Sequence, residues 1–305
     1  MMEEPSQTKA WNKDIVFHAG DRWYTGWLYL LPGFMLFVVF VLYPLALTIW
    51  YSLHDWSGLG KPTWIGLNNY KKLATDSLFW QGIFHNLLFV VFYTVIPILL
   101  GLLLSSILSQ KWFKGVTLFR TLLFLPQILP MVLIGIIWRW LYSPVNGPIN
   151  SFLNAIGLEA LAKPWLGDFD WALPSIGLIA SWYYYGFCMV VFLAGIQKIN
   201  PFLYDAASLD GANALRQFWH ITLPDLRREI SVVSLFTLIS ALKIFDLIFV
   251  TTRGGPGNYT LVTSLYLFNT AFKQKAVGYG ASIAVVLTVF TIIAAMLLRR
   301  SQGSR

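Results

Sequence analysis

The chain has 305 residues, a formal net charge of +8 and 57% apolar residues, with only 12% charged. A soluble domain carries about a quarter charged residues, and a soluble chain this apolar would expose greasy patches that monomers rarely tolerate. With a mean hydropathy of +0.62 the expected class is a polytopic membrane protein. Disorder is excluded by the low charge, and an internal disulfide by the single cysteine, Cys188.

Residues 1–26 mix Glu3, Glu4, Lys9, Lys13, Asp14, Asp21 and Arg22 without a short apolar core and small-residue cleavage site. They are expected to form a cytoplasmic arm. Six stretches then meet the length of about 20 apolar residues that a span requires: 27–51, 83–108, 116–141, 173–196, 230–252 and 277–298. Pro32, Pro44, Pro97, Pro126 and Pro130 fall inside them. Prolines there predict kinked helices whose neighbours satisfy the freed carbonyls. The membrane domain therefore runs over 27–298, with a cytoplasmic tail at 299–305. Basic residues set orientation. With both termini inside, thirteen Lys and Arg fall on the cytoplasmic side, Lys111, Arg227 and Arg300 among them, and eight outside, including Lys61 and Lys275. The positive charge thus reads as membrane-facing loops, with no nucleic acid partner.

Chemistry-bearing patterns are missing. Gly58-Leu59-Gly60-Lys61 lacks the spacing of a phosphate-binding loop, and His18, His54, His85 and His220 form no metal-ligating pair. Neither a catalytic residue nor a cofactor or metal is expected. No internal repeat marks a self-sufficient carrier, and about six spans are few for a solute route made by one chain. A partner is therefore expected.

The loop 197–229 is long and unusual. Asn200-Pro201 reads as a helix start, a capping side chain followed by proline at the first helical position. A short helix follows over 202–209, Gly211 permits a sharp turn, and a second helix over 212–219 ends at Leu223-Pro224. Such a knob fits a groove on another protein or lies on lipid headgroups; spacing does not decide between them. Elsewhere, Trp182-Tyr183-Tyr184-Tyr185-Gly186-Phe187 places rings in mid-span, where unpaired hydroxyls facing lipid would cost a few kcal/mol. They should face a cavity or a neighbouring helix. Lys243 and Asp246 are the charges well inside a span. Three apart on a helix, they can meet as a self-neutralising pair, or else Lys243 edges a solute route.

Asp205-Ala206-Ala207, Asp210-Gly211-Ala212 and Ile221-Thr222-Leu223-Pro224 together resemble the EAA loop of ATP-binding-cassette importer permeases, more narrowly the sugar permeases of the maltose and glycerol-3-phosphate type. Gly66-Leu67-Asn68-Asn69-Tyr70, Leu125-Pro126, Phe245-Asp246 and Gly254-Gly255-Pro256-Gly257 occur in the matching order, and the resemblance extends from Leu30 onward. The family usually has Glu where this chain has Asp205. The resemblance implies an all-α polytopic permease whose cytoplasmic coupling helix docks on an ATPase subunit. Its implied partners are a second homologous permease, two ATPase subunits, an external solute-binding protein, the sugar itself and membrane lipid, in a bacterial or archaeal plasma membrane. ATP hydrolysis then belongs to the partners. It also implies coupling roles for Asp205, Ala206, Ala207, Asp210, Gly211, Ala212, Leu223 and Pro224. Solute contacts are implied at Gln127, Tyr183, Tyr184, Phe187, Thr237, Ser240, Ala241 and Ile244. Alternatives are an importer of glycerol-phosphodiesters or polyols on the same scaffold, and a stand-alone channel or carrier.

Overall fold

The structure, a computed structural model, describes residues 25–109 and 115–303. Lys9, Lys13, Arg22, Lys111, Lys114 and Arg305, which entered the orientation argument, lie outside them. The chain divides into a unit ending at Leu47 and a second from Thr48 onward. The first contains most of helix α1 (Trp27–Ser52), whose side chains from Trp27 to Phe37 are exposed and apolar, as lipid contact requires.

In the second unit, β1 (His54–Asp55) and β2 (Thr63–Trp64) pair antiparallel, and α2 (Asn68–Ala74) follows. Next come α3 (Ser77–Leu108), α4 (Val116–Ile128), α5 (Met131–Leu141), the short α6 (Pro148–Ala155) and α7 (Ala172–Ile196). After these come α8 (Pro201–Leu209), α9 (Ala214–Gln217), α10 (Arg227–Leu242), α11 (Asp246–Thr251), α12 (Thr263–Phe268) and α13 (Val277–Gly303). Among the described residues, five helical stretches are long and apolar enough to span, or six if the α4–α5 pair counts as one. The expected all-α polytopic class is therefore observed.

Proline explains several of the irregularities, though not the π-turn at Asn269–Lys273. Widened π-helical turns at Val38–Leu42, Val91–Val95 and Phe218–Thr222 each end two residues before a proline, at Pro44, Pro97 and Pro224. A proline ring clashes with the carbonyl four residues back, and the extra residue in the turn relieves the clash without breaking the helix. Pro130 acts differently. The single span expected over 116–141 is corrected to two helices bent by 96°, because Leu129 before the proline is extended at ψ 141°. The span expected over 230–252 is also interrupted. α10 stops at Lys243 and α11 restarts at Asp246. Helical geometry at the cytoplasmic loop likewise runs past Leu223-Pro224 through Asp225, where a stop was expected.

α3 and α7 approach at backbone distance. A Cβ on Gly101 would sit 2.6 Å from the Cys188 Cβ, and one on Gly186 would sit 2.4 Å from the Leu123 carbonyl oxygen on α4. Cys188 is wholly buried by this packing and free, so it behaves as a small hydrophobe. At the other end of α3, Asp76 caps the helix by accepting from the Leu78 and Phe79 amides. It also accepts from the hydroxyls of Tyr266 on α12 and Tyr279 on α13, tying three elements together. Burial alone would raise the Asp76 pKa, but these hydrogen bonds outweigh it and hold it below 3.8. A depressed carboxylate stabilises the fold above its unfolded pKa and loses that contribution as pH falls through its folded pKa. Asp76→Asn should therefore lower the melting temperature by a constant amount from about pH 5 to 8, with the gap closing below about pH 4. Thermal unfolding of the two proteins across that range checks it.

Candidate functional site

Two regions carry the sequence expectations, a mid-span cluster and the cytoplasmic knob. In the first, α7 lies between α4 and α10. The Tyr183 hydroxyl donates to the Gln127 carbonyl at 3.4 Å, and the Phe187 ring lies 5.0 Å from Phe236 on α10. Gln127 sits where Pro130 has stopped the α4 ladder, and its side-chain Oε1 is buried without a hydrogen-bond partner. Gln127, Tyr183, Phe187 and Ser240 are half-buried. The remaining candidates lie deeper. Tyr184, 5.0 Å from Tyr93, is buried together with Thr237, Ala241 and Ile244. The Thr237 hydroxyl is spent on the Val233 carbonyl at 2.9 Å. Thr237, Ser240 and Ala241 share an α10 face as their spacing required, but that face turns largely into the core, and Ile244 falls in the break beyond the helix.

Lys243 and Asp246 do not pair. No ion pair within 4.0 Å joins them, and Lys198–Glu229 at 3.7 Å is the ion pair found among the described residues. The i,i+3 geometry expected of one helix is lost because α10 ends at Lys243; both side chains are exposed. Residues absent from the sequence reading also belong here. Phe236 bridges Tyr184 and Phe187, and Asn86 lies at the α10 break. An asparagine inside an apolar span was the available signal for the latter.

The knob is built as the sequence expected at its start. The Asn200 side chain accepts from the Phe202 amide at 3.1 Å, and Pro201 takes the first turn. α8 ends in the left-handed Gly211, φ +75°, while the Ala212 amide returns to the Ala207 carbonyl at 2.8 Å. The second helix begins at Ala214, two residues later than expected, because Asn213 caps it through the Arg216 amide at 2.9 Å. Gln217 braces the two helices through Ser208 at 2.9 Å, and the Tyr204 hydroxyl reaches Thr222 at 2.9 Å. Asp205, Ala206, Asp210 and Gly211 are exposed, while Ala207, Ala212, Leu223 and Pro224 are half-buried. A shallow pocket of about 220 Å³ opens beside Ala207, Ala212, Arg216 and His220. Phe202, Leu209, Leu215 and Trp219 stand outward at 57% exposure or more. A braced helix pair with apolar side chains facing out suits a rigid contact.

Comparison with known proteins fits this architecture. The family described as binding-protein-dependent transport system inner membrane component matches residues 97–303. The probable ABC transporter permease protein YurN of Bacillus subtilis is 35% identical over 273 residues, covering 89% of this chain and 93% of that protein. The multiple sugar-binding transport system permease protein MsmF of Streptococcus mutans is 33% identical, covering 90% and 93%. A solved bacterial alginate ABC transporter, in complex with an alginate pentasaccharide-bound periplasmic protein, superposes with a TM-score of 0.78 at 23% identity, over 92% of this chain and 96% of that one.

Proposed function

Because the chain belongs to the binding-protein-dependent transport system inner membrane components, we propose that it carries a sugar or oligosaccharide across the membrane. It is a multi-pass permease subunit of an ABC transport system and not its ATPase. The observation that carries the sugar reading is Gln127 Oε1, a buried acceptor left open on the residue whose backbone carbonyl the Tyr183 hydroxyl reaches. A sugar offers a hydroxyl donor to such an acceptor and apolar CH faces to rings such as those of Tyr183 and Phe187. The sugar-transport name of MsmF points the same way.

Gln127, Tyr183, Phe187 and Ser240 are the direct contacts in this reading, with Tyr184, Thr237, Ala241 and Ile244 forming the wall behind them. A second homologous permease completes the route, and an external solute-binding protein delivers the sugar. The coupling loop over 197–229, through its knob, engages one of two ATPase subunits, which hydrolyse ATP. ATP-driven closure of those subunits moves the knobs together and rocks the bundle between inward-open and outward-open states. Residues 1–26 and 299–305 lie in the cytoplasm of a bacterial or archaeal cell, flanking a permease domain at 27–298.

Tyr183→Ala and Ser240→Ala should each slow sugar-stimulated transport by about 1–3 kcal/mol while the complex still assembles, the cost of unpaired buried groups. Uptake and co-purification, measured together, check this; normal transport by both variants would make these residues packing alone. Orientation has its own test in a Cys188→Ser background. Lys61→Cys should react with an impermeant thiol reagent on intact cells, and Arg300→Cys only after permeabilisation. Labelling of position 300 from outside would invert the topology and move the knob away from the ATPases.

A further inference from the structure

Asn86 is wholly buried in α3, where an amide away from water must find all its partners within the protein. Its Nδ2 donates to the Ala241 and Leu242 carbonyls at 3.1 and 3.0 Å. Its Oδ1 accepts the Thr263 amide at 3.0 Å. These are groups that helix ends leave open. Ala241 and Leu242 close α10 just before the break, and Thr263 opens α12. One side chain therefore caps the C-terminus of one helix and the N-terminus of another. Gly82, one turn earlier, makes the reach feasible: a Cβ there would sit 2.9 Å from the Thr263 nitrogen.

The geometry points to Asn86 as the positioning residue of the α10 break, fixing where Ser240 and Lys243 stand along the solute route. The inference rests on the reading of Ser240 as a solute contact. Without the two donated bonds, the Leu242 carbonyl would be satisfied only by continuing the helix or by admitting water, and the Ala241 carbonyl would keep only long backbone contacts such as the Ile244 amide at 3.4 Å. Either change displaces Ser240, one residue before the capped pair. The acceptor half of the amide holds α12 independently, so the two halves are separable by mutation.

Hydrogen exchange on the assembled complex reads both halves. In the wild type, the Thr263 amide should exchange as slowly as mid-span amides, although first-turn amides normally lack intrahelical protection. Fast exchange there would overturn the inference without any variant. Asn86→Asp, held protonated by burial, keeps an acceptor for Thr263 but offers one donor where two carbonyls need one each. Exchange at amides 243–246 should then rise about tenfold, with Thr263 within about twofold, since one hydrogen bond is worth roughly a factor of ten. Asn86→Leu should loosen both places. Equal loosening of both places in Asn86→Asp, or none, would reduce Asn86 to packing. In proteoliposomes supplied with lactose- or maltose-loaded binding protein, Asn86→Asp should lower maximal ATP hydrolysis about tenfold and leave the half-saturating binding-protein concentration within about twofold. An unchanged maximum would overturn the positioning role. If instead neither these nor any other sugar of a wider panel stimulates the wild type, the solute reading is what fails, and the exchange pattern still decides the capping of the break.

Discussion

Gly211→Val should abolish uptake while the permease inserts and reaches normal abundance. Gly211 closes α8 at φ +75°, with its amide on the Ser208 carbonyl at 3.1 Å and the following amide on Ala207. No atom lies within 4 Å of a Cβ placed there, so the penalty is conformational, not a clash inside this chain. A side chain in the left-handed region costs about 1–2 kcal/mol, and a β-branched one more. α8 has only nine residues, too few to hold its end against that strain without tertiary help. The turn should open, unseating Ala207 and Ala212 from the pocket wall and turning Leu209 away from its contact. The spans are braced separately and should be unaffected. Gly211→Asn supplies the control, because asparagine tolerates the left-handed region, and should retain most of the transport. Solute uptake and co-purification of the ATPase, measured in the same membranes, check both variants. Wild-type uptake by Gly211→Val would remove the knob from the coupling pathway.

Gly186→Ala should be among the most damaging one-methyl changes in the bundle. The new Cβ would lie 2.4 Å from the Leu123 carbonyl oxygen and 3.1 Å from the Phe124 Cα. Both are backbone atoms, so no rotamer change relieves the contact and α4 must move bodily. Overpacking of this kind costs about 1–3 kcal/mol or more. The displacement also reaches the site, since Gln127 lies one turn beyond Leu123 on the same helix. A lower melting temperature and roughly tenfold slower transport are expected together. Gly33→Ala, with no atom within 4 Å of its added methyl, should leave both unchanged. Purified protein stability and uptake of the two variants decide the matter, and a silent Gly186→Ala would mean that α4 and α7 do not pack in this way.

What the sequence revealed follows from the range of the forces involved. Hydropathy and helix-start chemistry are local, so the unbroken spans and the Asn200–Pro201 start were legible directly. Proline content announced kinks, but Pro44, Pro97 and Pro224 produce π-turns while Pro130 produces a 96° bend. Which outcome occurs depends on the packing around each proline, which one-dimensional pattern does not carry. The Lys243–Asp246 pairing failed for a related reason. Its i,i+3 logic assumes a continuous helix, whereas the carbonyls of Ala241 and Leu242 are drawn to Asn86, 155 and 156 residues away. The solute face was legible as a helical repeat over Thr237, Ser240 and Ala241 but not at Ile244, which falls in the break, and its inward tilt was not legible because burial depends on α3 and α13 packing against α10. Ring-rich Tyr183–Phe187 was recognisable as a packed or solute-facing patch; Phe236, which joins it, is an isolated aromatic with no local mark.

The most direct measurement reconstitutes this chain in proteoliposomes with its partner permease, the two ATPase subunits and the external binding protein, and follows ATP hydrolysis and solute entry over a panel of sugars. The account predicts that at least one sugar-loaded binding protein accelerates hydrolysis and that the same sugar accumulates only when ATP is present. Sugar entry through this chain alone, or hydrolysis that no sugar-loaded binding protein accelerates, would contradict it.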